Sequence, residues 1–125
     1  MKSIITTPNA PQAIGPYSQA VEANGFLFVS GQIPIVPATG QMPEGIEAQT
    51  EQTLRTVGAI LKAAGLDYCN VVKTTVMLKS IADFGAMNGI YAKYFTTDCP
   101  VRAAFEVGNL PKNALVEIEV IAETI

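Results

Sequence analysis

The 125-residue chain has no histidine at all and no tryptophan. Without histidine, a zinc or iron centre would rest on carboxylates and thiols, and neither clusters: Cys69 and Cys99 lack ligand-like spacing and read as free thiols. The most common general acid and base for phosphate chemistry is missing too. Charge is equally scarce. Asp, Glu, Lys and Arg make up 15 % of residues, where a typical soluble domain has about 25 %. The eight basic residues are scattered and the net charge is −3, so no basic stripe exists to follow a phosphate backbone, and nucleic acid is an unlikely partner on these grounds. No apolar run approaches the roughly 18 residues that a membrane span needs, and the N-terminus has too short an apolar stretch for a signal segment. The cytoplasm is the expected location.

What the chain does have is apolar residues, 49 % of the total. So few charges leave apolar surface that needs cover, and packing against other copies of the chain is the expected solution. The length suits one domain, residues 1–125, with a core large enough to need no disulfide or metal. Short strands are expected at 3–6 and 17–21, around a Pro-bounded loop from Pro8 to Pro16. Residues 26–30 are rich in β-formers and closed by Gly31. Ile46, Leu54, Val57, Leu61 and Ala64 recur at helical spacing, with Gly65 as the stop. Residues 71–78 alternate, with Val72, Val76 and Leu78 on one side and Lys73 on the other. A second helix follows Asp83 as N-cap, with an apolar stripe of Phe84, Met87, Tyr91 and Phe95. Strands at 101–107 and 115–122 close the chain, and the short Gly, Asn and Pro connection suggests an antiparallel hairpin. This order implies an α+β fold: a mixed sheet with two helices on one face, its other face packed against copies of itself.

Two charged groups stand where a pleat should not waste them. Arg102 shares its side of one strand with Ala104 and Glu106. Glu117 and Glu119 have the opposite parity from Val116, Ile118 and Val120, so they face the side assigned to subunit packing and must be paired or wet there. On adjacent strands, Arg102 and Glu117 read either as a structural ion pair, the commoner arrangement, or as two walls of a site.

Words scattered along the chain favour the second reading. They are Asn9-Ala10-Pro11, Gly15-Pro16-Tyr17-Ser18-Gln19-Ala20, Ser30-Gly31-Gln32-Ile33-Pro34, Lys73-Thr74-Thr75-Val76, Pro100-Val101-Arg102-Ala103-Ala104, Leu110-Pro111-Lys112 and Glu117-Ile118-Glu119. Over essentially its whole length the chain resembles the reactive intermediate deaminases of the YjgF type. The resemblance implies a chorismate-mutase-like fold, a homotrimer with sites between subunits, no cofactor or metal, and hydrolysis of reactive 2-imino and enamine acids such as 2-iminobutanoate and 2-iminopropanoate. It places the site on Tyr17, Ser30, Gly31, Asn88, Arg102, Ala104 and Glu117. Arg102 would hold the substrate carboxylate and Glu117 would direct a water. Tyr17 and Ser30 would offer hydroxyls, Asn88 its amide, and Gly31 a close backbone approach. Many members carry Cys where this chain has Ala104, so a thiol nucleophile is excluded here and a backbone contact is implied instead. Plainer readings remain beside these: Tyr17 as an interface aromatic, Ser30 as a turn residue, Asn88 as a polar residue on an exposed helix face. The resemblance also leaves open a non-catalytic trimer that binds small carboxylates as a sensor. The ribonuclease or translation-inhibitor label attached to some relatives finds no matching parts in this sequence.

Overall fold

The computed structural model of the protein describes residues 1–124, which form six strands and two α-helices. Ser3–Ile5 (β1), Ala20–Ala23 (β2) and Phe26–Gln32 (β3) precede Ile46–Ala63 (α1). Val71–Leu78 (β4), Phe84–Tyr91 (α2), Val101–Glu106 (β5) and Val116–Glu123 (β6) follow. One mixed sheet results, in the order β1-β2-β3-β6-β4-β5. Asn24 and Gly25, both at positive φ, make the tight turn between β2 and β3, as the right-handed twist of a hairpin requires. Gly65, at φ +78°, ends α1, with the Leu66 N–H donating back to the Leu61 carbonyl.

Both helices lie on one sheet face. There Leu27 and Val29 of β3, Val76 and Leu78 of β4, and Val116, Ile118 and Val120 of β6 meet Leu54, Val57, Ile60 and Leu61 of α1 and Met87 and Tyr91 of α2. The buried side of α1 is more polar than its aliphatic spacing indicates, because Gln49, Thr50, Thr53 and Thr56 are buried with the aliphatics. Gln49 bridges two segments, accepting from the Leu115 N–H and donating to the Pro43 carbonyl. The opposite face is uncovered: Phe28, Val101 and Phe105 are 46 %, 67 % and 45 % exposed. Burying a side chain of that size stabilises by about 1.5–3 kcal/mol, so a face this apolar invites a partner surface.

Several details differ from the sequence reading. The two closing strands are not a hairpin: β5 pairs in parallel with β4, and β6 lies antiparallel between β3 and β4. The cause is α2, which carries the chain from the end of β4 back to the start of a parallel neighbour. Val72 does not join Val76 and Leu78. A bulge opposite β6, between Val71 and Lys73, turns Val71 inward and leaves Val72 exposed. Gly31 does not close β3, which runs on to Gln32 through a second bulge between Val29 and Gln32. Asp83 makes no side-chain cap; Ser80 instead caps a 3₁₀ turn, Ile81–Asp83, that leads into α2. The stripe of α2 ends at Tyr91, and Phe95 continues it, buried, in the following turn. Tyr17 lies outside β2, in the loop before it. Neither helix is long and apolar enough to cross a membrane.

Candidate active site

The bulge in β3 builds the first part of the site. An extra residue between Val29 and Gln32 brings Ser30 and Gly31 against β6, where Glu117 projects from the face away from the helices. The Glu117 carboxyl fills the room that a side chain at Gly31 would need, since a β-carbon there would overlap its oxygen. Around it opens a cavity of about 420 Å³, lined among others by Ile14, Tyr17, Ser30, Gly31, Lys112 and Glu117. Among the described residues the Glu117 carboxyl has no hydrogen-bond or ion-pair partner. Burial, and after it the charge of Glu119, raises its pKa above the ordinary carboxylate value. An unpartnered, part-buried carboxylate with a raised pKa is a better proton acceptor than an ordinary one. Ser30 is partly committed, its hydroxyl donating to the Ser18 carbonyl at 2.6 Å. Tyr17 is half exposed at the mouth. Lys112, at positive φ, lines the cavity as well, and the next residue, Asn113, also at positive φ, accepts from Lys79 Nζ at 3.0 Å.

The second part lies on the other side of the sheet. Arg102 extends from the edge strand β5 over α2, where its Nη1 donates to Asn88 Oδ1 at 2.6 Å. The guanidinium carbon stands 4.7 Å from the Tyr91 ring centre and 5.4 Å from that of Phe84. Tyr91 is fixed in turn by a 2.7 Å hydrogen bond with Thr74 on β4. Its own pKa is raised, chiefly by burial. Guanidinium on an aromatic face gains about 0.5–1 kcal/mol or more, and pinning one nitrogen leaves the others free for a carboxylate. Asn88, Tyr91, Phe95, Cys99 and Arg102 line an open cavity of about 430 Å³ here. Ala104 sits two residues along the same face, packed against the core, and lines neither cavity.

Tyr17, Ser30, Gly31 and Glu117 are thus brought together, and so are Asn88 and Arg102, but within one chain the two groups occupy separate cavities on opposite sheet faces. Arg102 and Glu117 do not come from a closing hairpin and share no void within one chain, because β4 lies between their strands and they point to opposite sheet faces. The plain ion-pair reading fails too: among the described residues the one ion pair within 4 Å is Arg55 with Glu51. Tyr91 and Phe84 were legible only as core. Yet 84, 88 and 91 fall on one helix face, and that spacing of two aromatics around an amide was the available signal.

A sheet backed by two helices, with a pinned guanidinium on one face and a free carboxyl on the other, defines an α+β domain equipped for small polar ligands. Residues 7–124 match the family model described as Endoribonuclease L-PSP, and the chain belongs to that family, which includes the YjgF-type deaminases. It is 49 % identical to the mouse protein named 2-iminobutanoate/2-iminopropanoate deaminase, over 98 % of this chain and 91 % of the mouse one. To the Arabidopsis thaliana chloroplastic Reactive Intermediate Deaminase A it is 52 % identical over 97 % of its length, spanning 65 % of that longer protein. Among solved structures, E. coli TdcF with bound serine superimposes with a TM-score of 0.94 at 40 % identity, covering 97 % of this chain and 98 % of the other.

Proposed function

We propose that this protein is a hydrolytic deaminase that converts 2-imino acids such as 2-iminobutanoate and 2-iminopropanoate, and their enamine tautomers, to 2-keto acids and ammonia. The site is completed between copies of the chain: the Arg102 platform of one faces the Glu117 cavity of its neighbour in a homotrimer. The uncovered apolar sheet face, with Phe28 and Phe105 exposed, supplies the surface for that assembly.

The chemistry needs little beyond orientation. A protonated C=N carbon is already electrophilic. Arg102, held by Asn88 and Tyr91, takes the substrate carboxylate through paired charge-assisted hydrogen bonds and so fixes the adjacent imine. Glu117 accepts one proton from a water as its oxygen adds to the imine carbon. Glu117 returns that proton to the nitrogen of the tetrahedral adduct, the carbon–nitrogen bond breaks to release ammonia, and the hydroxyl gives up its proton to Glu117 as the carbonyl of the keto acid forms. Tyr17 offers its hydroxyl to the water or the imine, and Ala104 has no thiol with which to form a covalent adduct. The observation that carries this reading is the unpartnered Glu117 carboxyl seated in the cavity against Gly31. The test is to couple the protein to a threonine dehydratase and follow 2-oxobutanoate release: faster release than buffer, lost in Arg102→Ala, is expected, and no acceleration rejects the proposal.

A further inference from the structure

Gln19 has no place in the chemistry above, yet its side chain is the most heavily used amide around the cavity. It is 4 % exposed. Its Oε1 accepts from the Thr7 N–H at 2.8 Å, and its Nε2 donates to the carbonyls of Thr7 at 3.1 Å, Ala10 at 3.4 Å and Pro11 at 2.8 Å. On its other side Gln19 is fixed to the sheet, because its backbone carbonyl accepts from the Ser30 N–H at 2.9 Å. The neighbouring Ser18 carbonyl accepts from the Ser30 hydroxyl.

The segment held in this way forms one wall of the Glu117 cavity. Between β1 and β2 the chain has no helix or strand of its own, and Pro11, Gln12, Ile14 and Tyr17 all line the void. Among the described residues, every hydrogen bond from residues 7–14 to a residue outside that loop ends on the Gln19 amide; those of Asn9 and Gln12 stay inside it. Thr7 and Ala10 are buried beneath it, whereas Ile14 and Tyr17, beyond its reach, are exposed. One buried amide therefore joins the bulged strand that seats Glu117 to the loop that carries Tyr17.

We propose that Gln19 is a positioning residue for the deaminase: it sets the distance between Tyr17 and the Glu117 carboxyl by tying residues 7–11 to β3. The assignment rests on the deaminase reading for its kinetic consequence, while the tie itself can be read in the free protein. A displacement of about 1 Å at a reacting group can cost up to about 100-fold. Gln19→Met keeps the length and apolar stem but removes all four bonds. It is expected to speed amide hydrogen exchange at residues 7–17 selectively and to lower kcat/KM by about 10- to 100-fold. In a Tyr17→Ala background the same substitution should lower kcat/KM by less than about 2-fold, because the two act through one contact. Gln19→Glu, which retains the acceptor for Thr7 N–H, replaces Gln19→Met if the latter does not fold. Unchanged kcat/KM, an equal loss in the Tyr17→Ala background, or exchange that quickens throughout the sheet would each overturn the assignment. A wild-type protein without turnover would instead remove the deaminase reading and the kinetic part of this one, leaving the exchange data to judge the tie.

Discussion

The Arg102 platform and the Glu117 cavity are built on opposite principles. Arg102 is exposed but bound on every side that the chain can reach, by Asn88, Tyr91 and Phe84. Glu117 is part buried and bound by nothing among the described residues. A cation that only has to hold an anion benefits from being immobilised, whereas a carboxylate that has to exchange protons is most effective with its lone pairs free and its pKa raised. In the proposed reaction the difference separates binding from proton transfer, so each half should be open to damage without touching the other.

The largest effect is expected at Arg102. Arg102→Ala removes paired charge-assisted bonds of about 1.5–3 kcal/mol each, so kcat/KM should fall by at least about 100-fold, with the loss of substrate binding visible in KM. Glu117→Gln should lower kcat by about 100-fold and leave KM nearly unchanged, in steady-state assays with dehydratase-generated substrate. Equal damage to KM from both variants would erase the distinction between the halves. Next comes complementation. If the halves belong to different copies, mixing unfolded Arg102→Ala and Glu117→Gln chains in equal amounts and refolding them should restore about a quarter of wild-type activity, since that share of interfaces pairs an intact arginine with an intact glutamate. No recovery would place both groups in one chain's site.

A smaller effect is expected where the platform meets the core. Tyr91→Leu removes the aromatic face under the guanidinium and should weaken 2-oxobutanoate binding by about 3- to 10-fold in calorimetry. Tyr91→Phe, which keeps the face and loses only the bond to Thr74, should weaken it by less.

How much of this was open to reading from sequence depends on the range of the interactions. The strand at Phe26, the helix from Ile46 and the stripe of Phe84, Met87 and Tyr91 follow from local periodicity, and the sequence words placed both charged residues correctly on their strands. Strand order was different. The β6 strand enters between β3 and β4 instead of beside β5, and the signal against a hairpin was the strand-helix-strand pattern of residues 71–106, which demands a parallel neighbour. The bulges at Val72 and at Ser30 and Gly31 escaped for another reason: each depends on what the partner strand requires, and period-2 patterns carry no mark of an inserted residue.

The smallest expected effect tests Glu117 through stability. A carboxyl whose pKa is raised by folding stabilises the folded state while it is protonated, and that contribution is lost as pH rises through the folded value. Glu117→Gln, permanently neutral, should therefore raise Tm slightly at pH 7, with the gain disappearing by about pH 4, where the unfolded carboxyl is also protonated. A gain that persists in acid would assign the effect to packing instead of charge.

At Gly31 the absent side chain serves as the mould for an acid. Substituting Ala there would leave every ionisable group of the protein in place and press on the Glu117 side chain, most severely at its carboxyl oxygen and also at Cδ and Cγ. In the proposed reaction a single methyl group would thus act as a steric switch on proton transfer, in a protein whose charge and surface are otherwise those of the wild type.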